Sequence, residues 1–195
     1  MNHKFIFLIL ICILLSAAFP GCAKKPEQEP PSETVSASSS EEENELQPFS
    51  PPVSFEAVTL EGDGITSDIF SESRLTMINV WATYCNPCLS EMPGLGELAL
   101  SYAPEDFRLV GIVSDVPEGS GQQELEQAKE LVEATGAGYT HLLLSESLYS
   151  GLLADVSAVP TTFFADKDGR IIDIVIGAME KDAWKEKIDA LLEEL

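Results

Sequence analysis

The sequence predicts an α/β fold, with a central mixed β-sheet flanked by α-helices, and three observations point there. From Leu75 onward, apolar runs of strand length alternate with amphipathic stretches of helix length. A Lys167-Asp-Gly-Arg170 turn signal between two apolar runs places an antiparallel hairpin after strands otherwise spaced for parallel crossovers. The stretch 53–195 is long enough for a single hydrophobic core, and no internal repeat divides it.

Taken in order, the chain opens on Lys4 and an apolar run from Phe5 to Leu15, followed by small residues. That run is shorter than the roughly 20 residues a spanning helix needs, and its flanks are those of a secretory signal. A retained signal anchor is the alternative. Phe19-Pro20-Gly21-Cys22 resembles a bacterial lipoprotein signal, which implies cleavage after Gly21, lipidation of Cys22 and loss of Cys12 with residues 1–21. Residues 22–52 carry two lysines, seven glutamates and many Pro and Ser. So little apolar surface cannot offset the entropy of ordering, so a disordered acidic linker is expected. Residues 53–195 form the folded domain.

Within the domain, Leu75–Ala82 reads as a buried strand, and a helix should run from Pro87 to about Tyr102. Pro93 inside that helix should kink it. A strand over Phe107–Ser114, a helix over about Gln122–Ala134 and a strand over Tyr139–Leu144 come next. A short helix around Leu148–Asp155 leads to a strand over Thr161–Ala165, with its hairpin partner running from Arg170 or Ile171 to Ile176. The last helix starts near Lys181 and places Trp184, Ile188, Leu191 and Leu192 on one face.

The chain has 195 residues, 33 acidic and 11 basic side chains, and a formal charge of −22. Phosphate recognition needs a surplus of Lys and Arg, so no nucleic-acid partner is expected. The Gly-Ser-Gly at 119–121 is no phosphate cradle, because no Gly-Lys-Ser/Thr follows.

Chemistry concentrates at Cys85-Asn86-Pro87-Cys88, which follows a predicted strand and opens a predicted helix. At a helix N-terminus, free N–H groups and the helix dipole favour a thiolate, so the Cys85 thiol should titrate below the usual value of about 8.5. Cys88 lies one turn on, close enough to form a disulfide with it. The outer thiol attacks, and the inner one resolves the mixed disulfide. A zinc site needs four ligands, and His141 is the one further Cys or His in the domain, so no metal is expected. Haem attachment fails because residue 89 is Leu. A purely structural disulfide would close too small a ring to restrain the unfolded chain much.

The run Asn79-Val-Trp-Ala-Thr-Tyr-Cys-Asn-Pro-Cys-Leu-Ser-Glu-Met-Pro93 resembles the active-site signature of the thioredoxin superfamily. It is most similar to the extracytoplasmic TlpA/ResA-type thiol–disulfide oxidoreductases. Val159-Pro160-Thr-Thr-Phe163 matches the loop that carries a cis-proline in that fold, and the order of elements agrees over 53–195. The resemblance implies a thioredoxin-like fold and a redox-active Cys85–Cys88 pair with no other cofactor. Thioredoxin carries an Asp six residues before the first Cys, but this chain has Asn79, which cannot accept the proton of Cys88. Glu91, three residues beyond Cys88, matches the Glu of ResA-like proteins and implies proton handling as the inner thiol reacts. Val159 and Pro160 would shape the substrate groove by strand addition, flanked by Tyr84, Asn86 and Pro87. His141 reads as structural.

The implied protein is lipid-anchored at the extracytoplasmic face of a bacterial membrane, with a secreted form or an uncleaved signal anchor as alternatives. It would reduce exported proteins with electrons from a CcdA-like membrane thiol carrier, cytochrome c maturation being one such setting. A disulfide-forming oxidase or isomerase is the rival of the same class. A Cu(I)-binding chaperone using Cys85, Cys88 and His141 is the rival from another class.

Overall fold

The computed structural model describes residues 51–195. The expected signal segment 1–21, Cys12, Cys22 and all but the last two residues of the linker 22–52 lie outside the described residues. Among the described residues, no helix is long and apolar enough to cross a membrane.

The elements run β1 (Glu56–Val58), β2 (Gly64–Thr66), a 3-10 turn (Ser67–Glu72), β3 (Leu75–Trp81), α1 (Asn86–Ala99), β4 (Phe107–Pro117) and α2 (Gln122–Thr135). They continue with β5 (Thr140–Leu144), α3 (Glu146–Leu148), a π-turn (Tyr149–Leu153), β6 (Thr161–Asp166), β7 (Ile171–Ile176) and α4 (Lys181–Glu194). Five strands form one sheet in the order β5-β4-β3-β6-β7. β3 pairs in parallel with β4 and antiparallel with β6, so the sheet is mixed as expected. β3 is central because all seven of its residues are buried, and a strand covered on both faces can be apolar throughout.

The two faces of the sheet bury different sets. One packs Ile78, Val80, Val110, Ile112 and Phe163 against Phe55 and Phe70 of the N-terminal segment. The other packs Leu75, Met77 and Phe164 against Leu95 of α1 and Trp184 and Ile188 of α4. A third cluster closes the end of the sheet where β3 gives way to α1, with Trp81, Cys85, Cys88 and Met92 at its centre.

Three details differ from the sequence reading. The N-terminal hairpin β1–β2 and the 3-10 turn fill 56–72, where no element was expected. β4 continues three residues beyond Ser114, through a register shift against β5 between Val113 and Pro117. The helix expected near Leu148–Asp155 starts at Glu146, where the Ser145 hydroxyl accepts the Leu148 N–H, and then widens into the π-turn.

Candidate active site

β3 carries the chain to the middle of the sheet edge, and the next residues are tied down before α1 begins. The Thr83 N–H donates to both carboxylate oxygens of Asp115, at 3.0 and 3.1 Å, and its hydroxyl donates to Oδ2 at 2.5 Å. The Cys85 N–H donates to the Ala82 carbonyl at 3.0 Å. Cys85 then caps α1, its Sγ accepting the Cys88 N–H at 3.3 Å, with Pro87 in the first turn. A sulfur in that place sits where helix N–H groups stabilise negative charge. Cys85 and Cys88 are joined by a disulfide, Cα–Cα 5.3 Å. Cys85 keeps a small solvent-exposed area, whereas Cys88 has none.

One turn inward, Glu91 is the one buried carboxylate among the described residues. Its Oε1 accepts from Asn79 Nδ2 at 3.0 Å, and its Oε2 accepts from the Met179 N–H and from Trp184 Nε1, both at 3.1 Å. Burial pushes the carboxyl above its usual range, and the three donors, Met179 foremost, pull it part of the way back. Asn79 Nδ2 also reaches Thr162 Oγ1 at 3.1 Å, while its Oδ1 is buried without a partner. A cleft of about 350 Å³ lined by Pro87, Ser90, Glu91, Gly94, Met179 and Lys181 borders the carboxyl.

The Val159–Pro160 bond is cis, and Val159 packs against the cluster that holds both cysteines. Pro160 is buried and Val159 half-buried. Among the described residues, neither the N–H nor the carbonyl of Val159 enters a hydrogen bond, whereas the Pro160 carbonyl accepts from Gly177. Tyr84, Asn86 and Pro87 are exposed around the disulfide. Tyr84 and Val159 share a cleft of about 230 Å³ with Tyr149, Leu153 and Val156. The structure thus exposes Tyr84, Asn86 and Pro87 beside the disulfide, packs Val159 against the cluster that holds both cysteines, buries Pro160 and places Glu91 one turn further along α1.

Trp81 lies beneath, fully buried, and its Nε1–H donates to His141 Nδ1 at 3.1 Å. With Nδ1 accepting, Nε2 carries the proton and donates it to the Ala137 carbonyl at 2.9 Å. Burial holds the imidazole neutral, its pKa lowered to about 4. Both ring nitrogens are occupied, so His141 has none to offer a third Cu(I) bond.

Sequence reasoning missed the donors around Glu91. Trp184 reads as one more apolar position of an amphipathic helix, and only the fold brings its N–H to α1. Asn79 was read for the charge it lacks, not for the amide it offers. Asp115 gives no local signal, because its partner Thr83 lies 32 residues away, in the turn between β3 and α1.

A sequence profile described as the AhpC/TSA family matches residues 50–174. The thiol:disulfide interchange protein HelX of Rhodobacter capsulatus is 29% identical over 143 residues, covering 73% of this chain and 74% of the relative. The thiol-disulfide oxidoreductase ResA of Geobacillus thermodenitrificans is 29% identical over 138 residues, covering 66% of this chain and 74% of the relative. The crystal structure of a thioredoxin-family thiol:disulfide interchange protein from Chlorobium tepidum aligns with a TM-score of 0.62 at 23% identity. It covers 75% of this chain and 97% of its own.

Proposed function

This chain belongs to the AhpC/TSA family and is a thiol–disulfide oxidoreductase of thioredoxin fold, and from that premise we propose that it reduces disulfides of exported proteins. The observation that carries the reading is the asymmetric disulfide. Cys85 caps a helix and accepts an N–H on sulfur, while Cys88 is fully buried one turn from Glu91, the one buried carboxylate among the described residues.

In the dithiol form, the Cys85 thiolate attacks a substrate disulfide, forming a mixed disulfide and expelling one substrate thiolate. Cys88 gives its proton to Glu91 and, as a thiolate, attacks the Cys85 sulfur. The Cys85–Cys88 disulfide forms and the second substrate thiolate leaves, so two electrons have passed to the substrate. Extended substrate chain pairs with the unpartnered backbone of Val159 beside Pro160, while Tyr84, Asn86 and Pro87 contact its flanks. A CcdA-like membrane thiol carrier returns the electrons.

The site works on the extracytoplasmic face of the membrane. Residues 1–21 act as a lipoprotein-type signal, Cys22 takes the lipid, and 22–52 form the acidic spacer between the membrane and the domain 53–195. The sequence pattern at Phe19–Cys22 supports this part of the reading.

Cys88→Ser expressed in cells tests the function, since it should accumulate mixed disulfides through Cys85 with exported proteins, whereas Cys85→Ser should accumulate none. Full disulfide-exchange activity in both variants would refute the mechanism. A reduction potential of about −270 mV supports the reductive direction, and one of about −120 mV would make the protein an oxidant.

A further inference from the structure

The mechanism leaves open what holds the carboxyl beside Cys88. Three N–H donors converge on Glu91, and among the described residues no cation pairs with it. Lys181 lines the same cleft, but its Nζ is committed to Glu97 Oε2 at 2.7 Å. The difference matters chemically. A buried lysine partner would keep Glu91 ionised at every accessible pH, whereas N–H dipoles hold the carboxylate without preventing its protonation.

The three donors are not equivalent. Met179 contributes backbone, and Asn79 divides its amide between Glu91 and Thr162. Trp184 contributes a side chain whose body is already accounted for: it is fully buried against Phe164, ring centroids 6.2 Å apart, with Ile188 in the same cluster. A phenylalanine would serve much of that packing. The indole N–H is what Trp adds, and a buried indole N–H needs an acceptor. The acceptor is a carboxyl 93 residues away, on the helix that carries both cysteines.

We propose that Trp184 is a positioning residue of the thiol–disulfide reaction, its indole N–H holding the Glu91 carboxyl in place to exchange a proton with Cys88. The proposal rests on the reading of Glu91 as the proton partner. In the resolving step the Cys88 proton moves to Glu91, the Cys88 thiolate attacks the Cys85 sulfur of the mixed disulfide, and the substrate thiolate leaves. Glu91 then loses the proton to solvent through the cleft between α1 and the head of α4, restoring the carboxylate to its three donors.

The other titratable groups around Glu91 are few. Cys88 lies on its own helix, and Glu180 and Lys181 stand at the rim of the cleft. Tyr139, before β5, has a buried hydroxyl without a partner, and its phenol is held neutral by burial and then by the Glu91 charge. β3 and β6 present only the neutral Asn79 and Thr162.

The test is the pH profile of mixed-disulfide resolution in single-turnover reduction of a model disulfide, for the wild type, Trp184→Phe and Glu91→Gln. Removing one of three donors should raise the midpoint of the Glu91 limb by about one pH unit, a tenfold change in proton affinity. Glu91→Gln should remove the limb. If Trp184→Phe superimposes on the wild type while Glu91→Gln loses the limb, the inference falls and Glu91 keeps its role. If Glu91→Gln also keeps the limb, the proposed role of Glu91 itself is wrong. Benzothienylalanine at position 184, with sulfur replacing the N–H in a bicycle of the same shape, makes the same test if the phenylalanine variant does not fold. An unshifted profile with that analogue likewise overturns the inference.

Discussion

Acidification should unseat His141, and the size of the effect follows from its surroundings. The imidazole is 2% exposed, accepts from Trp81 and donates to Ala137, an arrangement only the neutral ring can make. Burial lowers its pKa from 6.5 to about 4. A group whose folded pKa is depressed contributes stability present above its unfolded pKa, here about 6.5, and lost as pH falls towards the folded value. At 1.36 kcal/mol per unit, the loss between neutral pH and pH 4 is about 3 kcal/mol. Guanidinium unfolding of the oxidised protein, followed by tryptophan fluorescence at several pH values from 7 to 4, measures it against His141→Gln. The glutamine side-chain oxygen can accept the Trp81 N–H and does not titrate in this range. Both proteins carry the same carboxylates, so the difference between the two pH curves reads the replaced histidine. The wild type should lose about 3 kcal/mol more than the variant on going to pH 4. Parallel curves would mean that the buried ring accepts a proton without penalty, and the reasoning would fail.

Gly111→Ala should attack the same seat from β4, because a Cβ there would come within 2.2 Å of His141 Nδ1. It should cost about 2–3 kcal/mol in urea unfolding. Gly96→Ala should push α1 away from the loop after α2, its Cβ meeting the Gly136 carbonyl oxygen at 2.4 Å, and lower stability by about 1–3 kcal/mol in the same assay. Asp115→Ala removes the acceptor of the Thr83 N–H and hydroxyl. Hydrogen exchange at the Thr83 amide should accelerate about tenfold or more, with exchange in α4 unchanged.

Where burial follows a simple period, the sequence was readable. β3 is predominantly apolar because both its faces are covered, and α4 shows its inner face as Trp184, Ile188 and Leu191. The β6–β7 turn was readable for another reason: Gly169 has φ +77°, a conformation glycine adopts freely, and Asp166 Oδ1 accepts from the Asp168 and Arg170 N–H groups. β1 and β2 were not readable, because three residues are too few to establish a period. The end of β4 beyond Ser114 was hidden by Asp115 and Pro117, residues typical of loops, which sit instead at a register shift, with Asp115 holding the Thr83 turn. Within the site, Cys85, Cys88 and Glu91 were legible because their spacing is local to one helix. The donors that act on Glu91 come from β3, the segment before α4 and α4 itself, and contacts across the fold leave no mark in a local pattern.

The chain's formal charge and the chemistry of its site are kept apart by the way each titratable group is held. Among the described residues, the ion pairs join side chains between 29% and 68% exposed, at positions where solvent screens them. Near the disulfide the polar partners are dipoles: the Cys88 N–H on the Cys85 sulfur, three N–H groups on Glu91, an indole N–H and a carbonyl on His141. Dipoles stabilise a charge without cancelling it, so a carboxyl held as Glu91 is can still gain and lose a proton, as the role proposed for it requires. An ion pair at the same depth would bind one protonation state tightly and oppose the other. The neutral Asn79 is consistent with this arrangement. An aspartate there would set a second carboxylate against Glu91, two acids would share one desolvated space, and at least one would have to stay protonated. With asparagine in place, Glu91 is the one buried carboxylate among the described residues, and the proton role proposed for it rests on a carboxyl that the same neutral amide helps to hold.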